Sequence, residues 1–217
     1  MRSEFKSRYG VRNVVVAHPS VEHLAVTMDD EDQASPNPSY RFFYPAYPRT
    51  FKNIEQILNA ARILESRGFN QFEVWLTLDG TETRYAANIL REFSDLTTVK
   101  WLGLLPRSEV MRLYAKTDCL IFPSKLETWG MPITEFKTTG KPILIADLPY
   151  AYETIGEYEQ GAFFKIGDDA QLAEMMKHAA MGEAIFRPTN ERDIAPPFSR
   201  NWQELWKILL SAAEARN

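Results

Sequence analysis

Two carboxylates, Glu127 and Glu135, bracket a glycine-bearing turn in the segment Pro123 to Glu135, PSKLETWGMPITE. The segment links an apolar run, Cys119 to Phe122, to the start of a helix whose first turn accommodates Pro132, a residue with no N–H to leave unpaired. Gly140 is the matching stop signal. A strand, a turn through Gly130 and a fresh helix N-terminus together form an anion site, because unpaired backbone amides and the helix dipole both face the docked group. Phosphate is the ligand this suggests. Glu135, placed near the first turn, can accept from a sugar hydroxyl beside the phosphate, and Glu127 approaches from the loop side. The rival account of Glu135 is simple dipole complementarity at the helix N-terminus, which the same residue would satisfy in either case.

The elements that must position these groups are legible from residue 40 onward. Apolar strands are expected at about 40–45, 73–78, 98–102, 119–122, 142–146 and 162–165, with helical segments between them, and such alternation implies a parallel sheet covered on both faces. The fold class is therefore α/β and Rossmann-like. In such sheets ligands sit at the carboxyl ends of the strands, where Lys52, Gly80, Pro106 and Gly130 all fall. The first 40 residues differ: Val14 to Ala17 reads as a strand, and 27–39 is an acidic, proline-bearing stretch without periodicity that reads as a linker. Residues 201–217 form an amphipathic helix with Trp202, Leu205, Trp206, Leu209, Leu210 and Ala213 on one stripe.

The spacing Glu127-x7-Glu135, with Gly130, Met131 and Pro132 inside it, resembles the signature of retaining GT-B glycosyltransferases of the glycogen-synthase-like group, glycosyltransferase family four. Four more segments look like that family in the same order. They are Arg41 to Asn53, Trp75 to Gly80, Val99 to Pro106 and Lys141 to Asp147, so the resemblance covers about Tyr40 to Met176. One departure stands out. The family carries a Gly-Arg pair five residues before the lysine, and here those positions are Ala46 and Tyr47, with Arg49 two residues further on.

The resemblance implies a set of roles. Lys52 holds the donor diphosphate and Arg49 is a candidate for the missing guanidinium, against the alternative of a solvated surface cation. Thr128, Trp129, Gly130 and Met131 place backbone amides near the diphosphate or sugar, although Trp129 also suits a packing role in the turn. Leu104 and Leu105 lie near the nucleobase or, alternatively, in the core. Glu135 binds the ribose; Glu127 contacts the transferred sugar or its phosphate side. The implied chemistry transfers a sugar from a nucleotide diphosphate-sugar to an acceptor hydroxyl with retention, in cell-surface polysaccharide or lipopolysaccharide synthesis. Lys52 and the turn amides stabilise the departing diphosphate without a metal or other cofactor. Residues 1–26 then read as a remnant of an N-terminal, acceptor-binding lobe that this chain mostly lacks, and 40–200 as the nucleotide-sugar-binding domain. An exposed final helix would favour self-association. A nucleotide-sugar-binding accessory module, active only with a partner lobe, is the competing function.

Composition limits the alternatives. A net charge of −4 and pI near 5.5 argue against a nucleic-acid partner. Cys119, the single cysteine, lies inside an apolar run, so no intrachain disulfide forms and a reducing cytoplasm fits, including peripheral placement at the inner membrane face. No stretch reaches the roughly 20 apolar residues of a membrane span. His18, His23 and His178 lack metal-ligand spacing, and Asp30, Glu31 and Asp32 read as a solvated charge run.

Overall fold

A strand buried on both faces needs an unbroken apolar run, and the centre of this fold is built from two of them, Cys119–Phe122 and Ile143–Ala146, each buried at every position. The computed structural model describes residues 2–11, 13–19, 39–183, 196–199 and 201–214. Along the chain the elements are α1 (Arg2–Tyr9), β1 (Val16–Ala17), β2 (Tyr40–Tyr44), α2 (Ile54–Ser66), β3 (Phe72–Leu76), α3 (Arg84–Glu92), β4 (Val99–Trp101), α4 (Arg107–Lys116), β5 (Cys119–Phe122), α5 (Met131–Lys137), β6 (Ile143–Ala146), α6 (Pro149–Ile155), β7 (Gly161–Phe164), α7 (Asp169–Ala180), β8 (Phe198–Ser199) and α8 (Trp202–Glu214).

Six strands form one sheet in the order β4-β3-β2-β5-β6-β7, every pair parallel. Counted within the sheet, this is the doubly wound order 3-2-1-4-5-6, and its direction reverses between β2 and β5. Register there matches Phe42 to Cys119 and Phe43 to Leu120. Ligands of such sheets bind beyond the carboxyl ends of the two strands at the reversal, which places the loops after Tyr44 and Phe122 side by side.

The flanking helices bury stripes at helical spacing, as Ile54, Ile57, Leu58, Ala61 and Leu64 do on α2. Side chains cap two of these flanking helices: Thr83 accepts from the Ala86 amide at 3.0 Å and Asp168 from the Gln171 amide at 2.9 Å. The C-terminus of α4 is closed by a cation, since Lys141 Nζ donates to the carbonyls of Tyr114, Ala115 and Thr117. Burial lowers the Lys141 pKa.

The chain divides into two compact units, Met1–His23 with Arg192–Asn217, and Leu24–Glu191. In the smaller one β1 and β8 pair in parallel, Val16 opposite Phe198 and Ala17 opposite Ser199. The strand is thus shorter than the Val14 to Ala17 expected, and residues 198–199, inside the 40–200 segment, pair with the chain's N-terminal region. On α8, Trp202, Trp206, Leu209 and Leu210 are exposed, whereas Leu205 is half-buried. The expected linker lies, up to residue 38, outside the described residues, as do His23, Asp30, Glu31 and Asp32.

Candidate functional site

Lys52 and Glu127, 75 residues apart, meet directly: Lys52 Nζ lies 2.5 Å from Glu127 Oε1. Both side chains are largely withdrawn from water, at 19% and 13% exposure, so the contact is a charge-assisted bond in a sheltered place. The loops carrying them are the two that follow β2 and β5. After β2, Thr50–Lys52 makes one 3-10 turn, and Asn53 then adopts the left-handed conformation at φ 55° before α2 begins. Asparagine is among the few residues that enter this region readily. Its buried amide donates to Gln56 Oε1 at 2.7 Å and to the Pro123 carbonyl at 3.3 Å, and Gln56 donates on to the Lys165 carbonyl. The loops are also joined through backbone, the Lys125 amide donating to the Phe51 carbonyl at 2.7 Å.

Two tyrosines frame the pair. Tyr44 donates to the Lys52 carbonyl at 3.1 Å and Tyr150 to the Ser124 carbonyl at 2.7 Å. Burial pushes both hydroxyls up in pKa, and the negative charge of Glu127 adds to each. They remain protonated donors. Lys52 Nζ also sits 5.9 Å from the Phe122 ring centre and 5.5 Å from that of Phe51, within cation–π range.

Gly130 adopts φ 90°, and a Cβ there would stand 3.0 Å from Ile133 Cδ1. The positive φ favours glycine there, and an added side chain would also press on Ile133. Thr128 is exposed and Met131 half-buried. Trp129 is tied to its own surroundings: Nε1 donates to Thr134 Oγ1 at 2.8 Å, and its carbonyl accepts from the Thr154 hydroxyl.

Glu135 belongs to a second cluster. It is the fifth residue of α5, beyond the first turn, where the influence of the dipole has faded. Dipole complementarity therefore does not account for it. Arg107 and Tyr114 hold it instead, Arg107 Nη2 at 2.8 Å from Oε1 and the Tyr114 hydroxyl donating to Oε2 at 3.1 Å. Burial, followed by the Glu135 charge, raises the Tyr114 pKa. Sequence reasoning missed both partners. The readable signal was Arg107 itself, a cation at the N-terminal end of a helix, where the dipole opposes it.

The remaining candidates lie on the loops around these clusters. Leu104 is 64% exposed and Leu105 half-buried, in the loop that leads into Arg107. Gly103, at φ 69°, lets that loop approach Asp79, whose Oδ2 would be 3.0 Å from an added Cβ. Arg49 lays its guanidinium over Tyr47, 5.3 Å from the ring centre, and Tyr47 donates to the Glu82 carbonyl. Among the described residues Arg49 has no carboxylate partner. No group of three or more His, Cys, Asp or Glu able to hold a metal occurs among the described residues, and no helix there is long and apolar enough to cross a membrane.

Residues 27–187 match the family described as glycosyl transferases group 1. The chain belongs to this family. Among curated relatives, O-antigen chain mannosyltransferase B of Escherichia coli is 24% identical over 107 residues, which cover 49% of this chain and 28% of that protein. Among solved structures, that of TarM superposes with a TM-score of 0.58 at 13% identity, over 68% of this chain and 29% of the other. That likeness is one of fold. The chain spans less than a third of the length of the curated mannosyltransferase and of the TarM chain, and the family match covers the six-stranded sheet that carries both clusters.

Proposed function

We propose that this chain is the donor-binding part of a GT-B glycosyltransferase that moves a sugar, with retention, from a nucleotide diphosphate-sugar to an acceptor hydroxyl in cell-surface polysaccharide or lipopolysaccharide synthesis. The observation that carries the reading is the meeting of Lys52 and Glu127 on the two loops at the reversal point of the sheet. A sheltered cation beside a carboxylate suits a ligand with a phosphate at one end and hydroxyls at the other. On binding, the diphosphate oxygens take up the Lys52 N–H groups that Glu127 does not use, and Glu127 accepts from a sugar hydroxyl. Lys52 then offsets the charge that develops on the diphosphate as the glycosidic bond breaks, aided by Arg49 and the amides of Thr128 to Met131. Protein groups alone serve the phosphates, so no metal is called for.

Glu135 takes the ribose, and Leu104 and Leu105 flank the base. A further lobe supplies the acceptor hydroxyl, in keeping with the fraction of its relatives that this chain spans. The O-antigen relative favours a polysaccharide acceptor. Calorimetry with UDP, GDP and ADP, with and without EDTA, tests the reading. At least one should bind, equally well in chelator. Failure of all three would overturn donor binding, and binding lost with EDTA would overturn the metal-free site.

A further inference from the structure

Arg107 opens α4 at the end where the helix dipole disfavours a cation, and its side chain is 62% exposed, so neither the helix nor core packing explains it. Its contact does. The Glu135 side chain is only 7% exposed, and its two oxygens are held separately, Oε1 by Arg107 Nη2 and Oε2 by the Tyr114 hydroxyl. Arg107 and Tyr114 are seven residues apart on one helix and share a face, so α4 presents them as a fork of fixed span. An ionised carboxylate offers about four acceptor positions, and the fork leaves a vacant one on each oxygen. Two neighbouring hydroxyls on one sugar ring match that pair of vacancies. The fork also begins directly after Leu104, Leu105 and Pro106, so one element joins the loop to the carboxylate.

We propose that Arg107 is a positioning residue for ribose recognition: with Tyr114 it fixes the Glu135 carboxylate so that both oxygens accept from the 2′- and 3′-hydroxyls of the donor nucleotide. The inference rests on the assignment of Glu135 to the ribose given above. Removing the guanidinium leaves Glu135 free to rotate about its terminal bond, so one hydroxyl loses its acceptor. The consequence is a loss of discrimination between ribose and deoxyribose, which a purely structural ion pair would not affect.

The test is calorimetry on the full chain with UDP, GDP and ADP, each against its 2′-deoxy counterpart. The unmodified chain should prefer the ribonucleotide by about tenfold, the scale of one hydrogen bond to a charged group. Arg107→Met should lose most of that preference, Glu135→Gln should lose it as well, and Arg107→Lys should keep a good part of it. Because Arg107 is exposed, Arg107→Met should fold, and its melting temperature checks this. An Arg107→Met chain that discriminates as the unmodified chain does, while Glu135→Gln does not, overturns the positioning role and leaves the ribose assignment standing. An unmodified chain with no ribose preference overturns the assignment of Glu135 and this inference with it. Absence of binding by all three nucleotides overturns the donor-binding reading itself.

Discussion

At the scale of single residues, the Lys52–Glu127 contact sets two groups with different proposed partners in competition with each other. Glu127 neutralises Lys52 in the ligand-free chain, so an arriving diphosphate must share the ammonium with a carboxylate. The two substitutions should therefore act differently on a bare nucleoside diphosphate. Lys52→Ala removes a charge-assisted bond of about 1.5–3 kcal/mol, which is roughly ten- to a hundredfold in affinity. Glu127→Gln removes the competing charge and should leave that affinity unchanged or raise it, while weakening the extra affinity contributed by the sugar of a nucleotide-sugar. Titration of both variants with diphosphate and with sugar-diphosphate separates these effects. Equal losses of bare diphosphate affinity in the two variants would show that the pair binds as a unit and that the division of roles is wrong.

At the scale of elements, the turn from β5 into α5 depends on Gly130 more than on its neighbours. Gly130→Ala places a side chain at φ 90° and forces Ile133 to give way, whereas Gly140→Ala, at φ 70° with nothing within 4 Å, meets only the conformational penalty. The left-handed conformation alone costs about 1–2 kcal/mol. Gly130→Ala should lose more stability than Gly140→Ala in denaturant titration and should also weaken nucleotide binding; equal losses would mean that the turn relaxes freely. The strands were readable for a plain reason: Cys119–Phe122 and Ile143–Ala146 are unbroken apolar runs, and all six sheet strands fall within a residue or two of their expected positions. The turn was equally readable, from Gly130 and Pro132. The pairings Lys52–Glu127 and Arg107–Glu135 were not, because they span 75 and 28 residues and depend on which strands become neighbours in space. Trp129 shows the same limit on a local scale, since its sequence context suits either a ligand or a packing role and the bond to Thr134 emerges only from the fold.

For the whole molecule, buried tyrosines join the packing of the core to its response to pH. Tyr44 and Tyr114 are almost wholly buried, and ring contacts link them to Phe122, Phe43 and Phe136. Burial raises the pKa of both and also of Tyr40, Tyr85, Tyr150 and Tyr158, the last to about 12. Each keeps its proton in the folded chain at a pH where an unfolded tyrosine, with a pKa of about 10, releases it. The folded state then binds more protons, so stability is fully present below about pH 10 and falls as pH climbs towards the folded values. Lys141 acts in the opposite sense, its lowered pKa adding stability with rising pH, but it is one group against six. Melting temperature should therefore fall steeply above about pH 10. Phenolate absorbance should rise in two stages, exposed tyrosines first and the buried set only with loss of the fold. A single smooth titration of all nine tyrosines, with melting temperature unchanged, would show that Tyr44 and Tyr114 reach water in the native state, and the aromatic packing behind the Lys52–Glu127 and Glu135 clusters would then be looser than their burial requires.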